Sequence, residues 1–357
     1  MNYKTRYFNT NQIEKYKTFV LGIDIGGTNT NLAIAGIENK KPFLIFSLDF
    51  KSQEINSIVP AINATLGFAK ENYNIKECYG CIGAAGVVDS DQKKATLTNV
   101  EWDIDTDEII KNTNLKKVFI INDFQAIGYG INLLDHNNSN DIVKIKSGEY
   151  SNKNIKAIIG AGTGLGKSIL FYDDQLKSYI SLPSEGGHSD FPITNDEELE
   201  LSEFIKDIRN ILSPICYEEL LSGRGIEGIY SYLKNKKKYK TTIFTKEIES
   251  NQDKTPLISK YRKTDEACSE TFSLFTKFYA RCAKNYVLDT MATGGLYIAG
   301  GIAIKNKEIF LSKEFISEFE DSYTRSDILK SVPIYLIVNY DVSIYGACLA
   351  AYIKFFN

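Results

Sequence analysis

Asp24 and Asp123 are the carboxylates best placed to do chemistry in this chain, because each stands at or near the end of a short apolar run. Asp24 lies inside Leu21-Gly-Ile-Asp-Ile25, two residues before the turn Gly26-Gly27-Thr28-Asn29. A lone buried carboxylate is costly unless it is paired or close to a metal. Beside a polyphosphate its natural partner is Mg²⁺, held through water; otherwise it accepts hydrogen bonds from the N–H groups of the turn. The anion-binding character of that turn favours the first reading. Asp123 follows Lys117-Val-Phe-Ile-Ile121 and Asn122, where a buried strand gives way to a helix starting near Phe124. Open α/β sheets bind ligands outside the carboxyl ends of their strands, and a carboxylate there can take a proton from a hydroxyl. Capping of the new helix is an equally good account of Asp123 from local sequence alone.

The turn at Gly26 has a counterpart, Gly160-Ala-Gly-Thr-Gly-Leu-Gly166, well downstream. Each follows one apolar run and precedes another, so strand, glycine turn and returning strand occur twice. Successive N–H groups in such turns make a concave anion site, and glycine lets a ligand approach the main chain closely. Two of them suggest a polyphosphate held between two halves. The stretch Ala161 to Ser168 is close to a P-loop pattern, but a P-loop must open a helix. Ser168-Ile-Leu-Phe-Tyr172 is instead strand-like and runs into Asp173-Asp174. The glycine spacing also fails the dinucleotide fingerprint.

A third constellation is Pro183-Ser-Glu-Gly-Gly-His188, which puts a carboxylate and an imidazole within four residues. Such a loop suits a polyol, although an irregular surface turn would look the same. Glu218 and Glu219, before Leu220-Leu-Ser-Gly223, read by themselves as a solvated helix face, and His136 as a solvated loop residue. Of the six cysteines, five sit in apolar or helical-looking segments and read as buried small hydrophobes in a reducing compartment, and Cys78 and Cys81 form a C-x-x-C without the further ligands a zinc site needs.

The elements that must position these groups follow from hydrophobic pattern. Strands are expected over 19–25, 31–36, 42–48, 78–84, 117–121, 155–159, 167–172, 178–182, 296–299 and 334–338. Ile55, Ile58, Val59, Ile62 and Leu66 mark a helix, as does the stretch from Asp196 to Ile211, whose carboxylates gather at its start. Phe272, Phe275, Tyr279, Cys282 and Tyr286 mark one face of a long helix, and Ile344 to Phe355 a closing one. The lysine-rich stretch from Leu233 to Lys263 reads as a solvated insertion. Alternating strands and helices give an α/β protein.

With 43% hydrophobic and 24% charged residues the chain can bury a normal core, and a net charge of −3 supplies no basic excess for nucleic acid. No apolar stretch reaches membrane-spanning length. Met1 to Lys17 lacks the apolar segment of a signal peptide and reads as an extension.

Together these residues resemble the bacterial-type glucokinase family of the actin/hexokinase/Hsp70-like ATPase superfamily. The resemblance is carried, in order, by Gly22–Asn29, Thr98-Asn-Val-Glu-Trp102, Ile120–Phe124, Gly160–Gly166, Leu182–His188, Leu221-Ser-Gly223, Ile298-Ala-Gly-Gly-Ile302 and Pro333–Val338. It covers residues 18 to about 350.

The resemblance implies two RNase H-like domains around a central cleft, a small one of residues 18–134 plus 341–357 and a large one of 135–340, with 1–17 as an N-terminal extension. It implies ATP and Mg²⁺, D-glucose as the substrate phosphorylated on its 6-hydroxyl, a homodimer, and a cytoplasmic location without nucleic-acid or membrane partners. By position, Asp123 becomes the general base and Asn122 holds a neighbouring hydroxyl. Asn99, Glu185, His188 and Glu218 become the other sugar contacts. Gly26, Gly27, Thr28, Asn29, Gly162, Thr163 and Gly164 wrap the phosphates, Gly300 and Gly301 flank the nucleotide, and Asp24 faces the metal. Two positions depart from the family: Asn31 stands where an arginine is usual, and Arg224 where proline is common. The related repressor/kinase sugar family would carry a cysteine-rich zinc segment after its Glu-x-Gly-His motif, and Phe191 to Leu212 contains no cysteine. Alternatives are a kinase of another hexose or amino sugar, a silent sugar-binding regulator, and an ATPase acting on proteins.

Overall fold

The computed structural model describes residues 2–98, 100–149, 153–236 and 239–357. They form two compact units: Met1–Asn138 with Leu170–Pro183 and Asn339–Asn357, and Ser139–Ile169 with Ser184–Val338.

The first unit is built on strands β1 (Lys4–Tyr7), β2 (Phe19–Ile25), β3 (Asn29–Glu38), β4 (Lys41–Lys51) and β5 (Tyr79–Ala84). A small sheet, β6 (Gly86–Val88), β7 (Lys94–Leu97) and β8 (Ile104–Asp105), precedes β9 (Lys117–Asn122). The main order is β1-β4-β3-β2-β5-β9, antiparallel as far as β2 and parallel from β2 to β9. Asn39 and Lys40, both at positive φ, form the two-residue turn that joins β3 to β4. Alternation along the strands buries both faces. Leu21, Ile23, Leu32 and Ile34 pack with the helix Ile58–Tyr73, whereas Val20, Ala33, Ala35 and Leu44 pack with the closing helix Val342–Phe356. Gly22 permits that second contact, since a Cβ there would meet Cys348 Sγ and the Ile344 carbonyl.

Residues before 18 are not an appendage. β1 pairs with the edge of β4, Tyr16 lies against Gly36, and Arg6 bridges Asp49 and Asp341. Pairing an exposed sheet edge and burying an aromatic ring stabilises this segment where its short polar strand gives little sequence signal.

A second six-stranded sheet, made of β10 (Ile142–Lys146), β11 (Lys156–Ala161), β12 (Leu165–Asp173), β13 (Ser178–Ser184), β14 (Leu296–Ala299) and β15 (Ile334–Ile337), takes the order β10-β15-β14-β11-β12-β13. The order β4-β3-β2-β5-β9 thus recurs as β13-β12-β11-β14-β15, the repetition the two glycine turns announce. Residues 170–183, expected in the larger unit, belong with the first. The physical reason is hydrogen bonding to the helix Asp123–Ile131 and its end: Gln125 Nε2 donates to Ser181 O at 2.8 Å, and Asn132 exchanges bonds with the Tyr179 backbone at 2.8 and 3.0 Å.

The lysine-rich stretch is likewise not a solvated insertion. Helices Ile243–Glu249 and Thr255–Tyr261 bury Thr245, Ile248, Ile258 and Tyr261, sparse apolar anchors that the surrounding lysines obscure in the sequence; Lys237 and Lys238 lie outside the described residues. The helix Glu266–Thr290 carries Arg281, which bonds Glu198 at 2.8 and 2.9 Å inside the unit. Among the described residues no helix is long and apolar enough to cross a membrane.

Candidate active site

Strand register brings the first unit's chemistry to one edge. Ile25 is level with Ala84, and Ala84 with Asn122, across the parallel strands β2, β5 and β9. The turn after Ile25 and the pair Asn122-Asp123 therefore share the carboxyl edge of one sheet, where ligands of open α/β sheets bind. The cap of the helix beginning at Asp123 is Asn122, whose Oδ1 accepts the Phe124 N–H at 2.9 Å. Asp123 is the first helical residue, and its Oδ1 accepts the same N–H at 2.9 Å. Asn122 and Asp123 thus share the first N–H of the helix, with Asn122 at the cap position.

Asp24 does not accept the N–H groups of the turn. Gly26 N–H donates to Asn29 O at 3.0 Å, and Asp24 Oδ2 accepts Ser343 Oγ–H at 2.7 Å from the closing helix. Burial pushes the Asp24 carboxyl above its ordinary range against the effect of that hydrogen bond, and the negative charge of Asp341 adds to the rise. The turn is braced from β4 and the residues after it. Ser52 Oγ donates to Gly26 O at 2.6 Å, Ser52 N–H to Thr28 O at 3.0 Å, and Lys51 Nζ to Asn29 Oδ1 at 2.9 Å. Ser343, Ser52 and Lys51 were invisible as site residues because strand pairing and helix packing alone bring them there.

In the second unit Gly162 N–H bonds Gly164 O at 2.8 Å, and Gly223 N–H bonds Gly162 O at 2.9 Å. β12 follows this turn, so it is no P-loop. Parallel pairing of β11 with β14 sets Gly160 level with Ala299, which brings Gly300 and Gly301 to the same edge as Gly162–Gly164. Gly300 has φ of 94°, and a side chain there would meet the Ala161 carbonyl.

Glu218 lies on the one-turn helix Tyr217–Glu219 and is not a solvated face. Its Oε2 accepts the Leu165 N–H at 2.9 Å, directly behind the glycine turn. Its Oε1 accepts Arg224 Nη2–H at 2.8 Å, and the same nitrogen bonds Glu219 Oε1 at 2.7 Å. Glu219 is also paired with Arg209. Next to this helix lies Gly186–His188, linked through Tyr217 N–H to Ser189 O at 3.0 Å. Glu185 and His188 are exposed, with Nε2 and Oε2 3.8 Å apart. Buried Lys167 holds the turn by donating to Gly186 O at 2.8 Å, its ammonium set over the rings of Tyr217 and Tyr286. The second unit thus gathers Glu185, His188 and Glu218 beside a glycine turn, an arrangement able to bind a polyol. Asn99 lies outside the described residues.

The cysteines are free thiols, and burial pushes Cys78 up to about 12. No cluster of three His, Cys, Asp or Glu able to hold a metal occurs among the described residues. A lone carboxylate beside a glycine turn nonetheless fits the donor set of Mg²⁺, which keeps waters and takes one or two carboxylates plus phosphate oxygens.

A family model described as Glucokinase matches residues 21–353. The glucokinase of Nostoc sp. is 32% identical over 348 residues, covering 94% of this chain and 99% of the relative. A crystal structure of a glucokinase from an Antarctic psychrotroph matches with a TM-score of 0.77 at 25% identity, covering 94% of this chain and 99% of that one. The glucokinase of Balamuthia mandrillaris in complex with glucose has the same fold, with a TM-score of 0.77 at 20% identity over 94% of this chain and 93% of that one.

Proposed function

The chain belongs to the glucokinase family, and from that premise we propose how its residues phosphorylate D-glucose at the 6-hydroxyl with ATP, giving glucose 6-phosphate and ADP. The observation that carries the residue assignment is the shared carboxyl edge of β2, β5 and β9, which sets Asp123 level with the first glycine turn. Asp123 is the general base. As the sugar oxygen bonds the γ-phosphorus and the bond to the β–γ bridging oxygen breaks, the hydroxyl proton passes to its carboxylate and ADP leaves. Phosphoryl transfer is largely positioning and charge stabilisation. Gly26, Gly27, Thr28 and Asn29 in the first unit and Gly162, Thr163 and Gly164 in the second supply N–H groups to the phosphates, with Gly300 and Gly301 against the nucleotide.

Asn122, Glu185, His188 and Glu218 hold sugar hydroxyls, as does Asn99. Charge-assisted hydrogen bonds of about 1.5–3 kcal/mol each make a missing hydroxyl expensive, and such sites reject the deficient analogue by up to roughly 10⁴-fold. Mg²⁺, faced by Asp24 through water, would neutralise phosphate charge. The enzyme works in the cytoplasm as a homodimer, at the entry of glucose into glycolysis.

Asp123→Ala is expected to lower turnover at least a hundredfold, in line with loss of a general base, while glucose binding, read from the fluorescence of the single tryptophan Trp102, weakens only a few-fold. A variant keeping more than a tenth of wild-type turnover would falsify the assignment. Parallel assays with mannose, fructose and glucosamine test the sugar preference.

A further inference from the structure

We propose that Lys51 is the cation of the first phosphate turn, contacting the outer phosphates of the bound nucleotide; this rests on the kinase reading above. The antiparallel register of β3 and β4 sets Lys51 opposite Asn29, the last residue of the turn. Lys51 Nζ donates to Asn29 Oδ1 at 2.9 Å. The next residue locks the strand end to the turn twice, through Ser52 Oγ–H to Gly26 O at 2.6 Å and Ser52 N–H to Thr28 O at 3.0 Å. Lys51 therefore keeps its place when the turn does.

Its charge is uncompensated. Among the described residues no carboxylate forms an ion pair with it. The two nearest in the strand pairing are engaged elsewhere: Asp49 by Arg6 at 2.9 Å, and Asp24 by Ser343 at 2.7 Å. An exposed ammonium hydrogen-bonded only to a neutral amide retains donors for an anion. The need for a cation is set by the surroundings. Asp24 and Asp49 lie in one cross-strand row with Asn31 between them, and the guanidinium that reaches that row, Arg6, is taken up by Asp49 and Asp341. A lysine serves phosphate as a point charge, and Lys51, unlike Arg6, is not taken up by a carboxylate. β4 supplies from the side what β3 lacks.

The test compares Lys51→Gln and Lys51→Arg with wild type in steady-state kinetics and in calorimetric titration with ADP and AMP. Lys51→Gln is expected to raise KM for ATP about tenfold, the loss of one charge-assisted contact, and to weaken ADP binding by the same factor. KM for glucose and AMP affinity should stay within about twofold. Lys51→Arg should retain near-wild-type values, and adding Asn31→Arg to Lys51→Gln should recover most of the ATP affinity. The proposal is overturned if Lys51→Gln phosphorylates glucose with an ATP KM and an ADP affinity within twofold of wild type. It is also overturned if ADP and AMP weaken equally, or if the arginine variants do not restore nucleotide binding. Failure of the wild-type protein to phosphorylate glucose would instead remove the kinase reading, and the role of Lys51 with it.

Discussion

At the scale of residues, Asp24 and Asp123 end up at one sheet edge in different chemical settings. Asp123 opens a helix beside its capping neighbour, whereas Asp24 is drawn under the closing helix and raised above the ordinary carboxylate range by burial and by Asp341. A carboxyl whose folded pKa is raised holds its proton more tightly in the folded state. Its contribution to stability is full below its unfolded value and is lost as pH rises through the folded one. Asp24→Asn removes that dependence. The variant should therefore melt at or above the wild-type temperature at pH 8 while kcat/KM for ATP falls about a hundredfold, the cost of one well-placed electrostatic contact. Thermal melts between pH 5 and 8 with parallel kinetics check this, and a variant that is both less stable at pH 8 and fully active would contradict it. Both glycine turns and both aspartates could be read from the sequence, because each interrupts or ends an apolar run. Glu218 could not be read without the family resemblance. Its partners Leu165 and Arg224 meet it only through the packing of a one-turn helix against a distant glycine turn.

At the scale of elements, periodicity located the strands and long helices to within a few residues where one face or both are buried. β2 matches its expected range, and β14 does too. It failed where polar side chains cover a small buried contact, as in β1, with its Lys-Thr-Arg-Tyr sequence, and in the lysine-rich helices. The closing helix adds a packing test. A Cβ on Gly346 would run into the Ala126 carbonyl of the helix Asp123–Ile131, whereas a Cβ on Gly67, in the helix Ile58–Tyr73, meets nothing within 4 Å. Gly346→Ala should destabilise by about 1–3 kcal/mol through overpacking. Gly67→Ala should stabilise by about 0.4–1 kcal/mol through reduced unfolded-state entropy. Urea midpoints moving in the same direction for both variants would contradict the packing described here.

At the scale of the whole molecule, the pair Arg281–Glu198 sets a limit on acid stability. The two side chains are 8% and 3% exposed. Burial works to raise Glu198, but hydrogen bonds from Arg281 and Thr194 together hold it below its ordinary 4.5. A lowered folded value means that this stabilisation is present above about pH 4.5 and is lost as pH falls through the folded pKa. Arg281→Met leaves a buried carboxylate unpaired and should cost about 3–5 kcal/mol near neutral pH. Its acid-unfolding midpoint should move to higher pH than that of wild type, and an unchanged midpoint followed by circular dichroism would show that the pair does not matter.

The helix Val342–Phe356 follows the entire second unit in the chain, yet it covers one face of the first unit's sheet. During synthesis Val20, Ala33, Ala35, Leu44 and Cys81 must wait for that cover while everything between is translated, on the order of ten seconds or more at about 5–20 residues per second. A nascent chain of this topology carries an open apolar sheet face for that interval. It is then a client for chaperones, and synonymous codons that slow elongation across the second unit would lower the soluble yield without altering a single side chain.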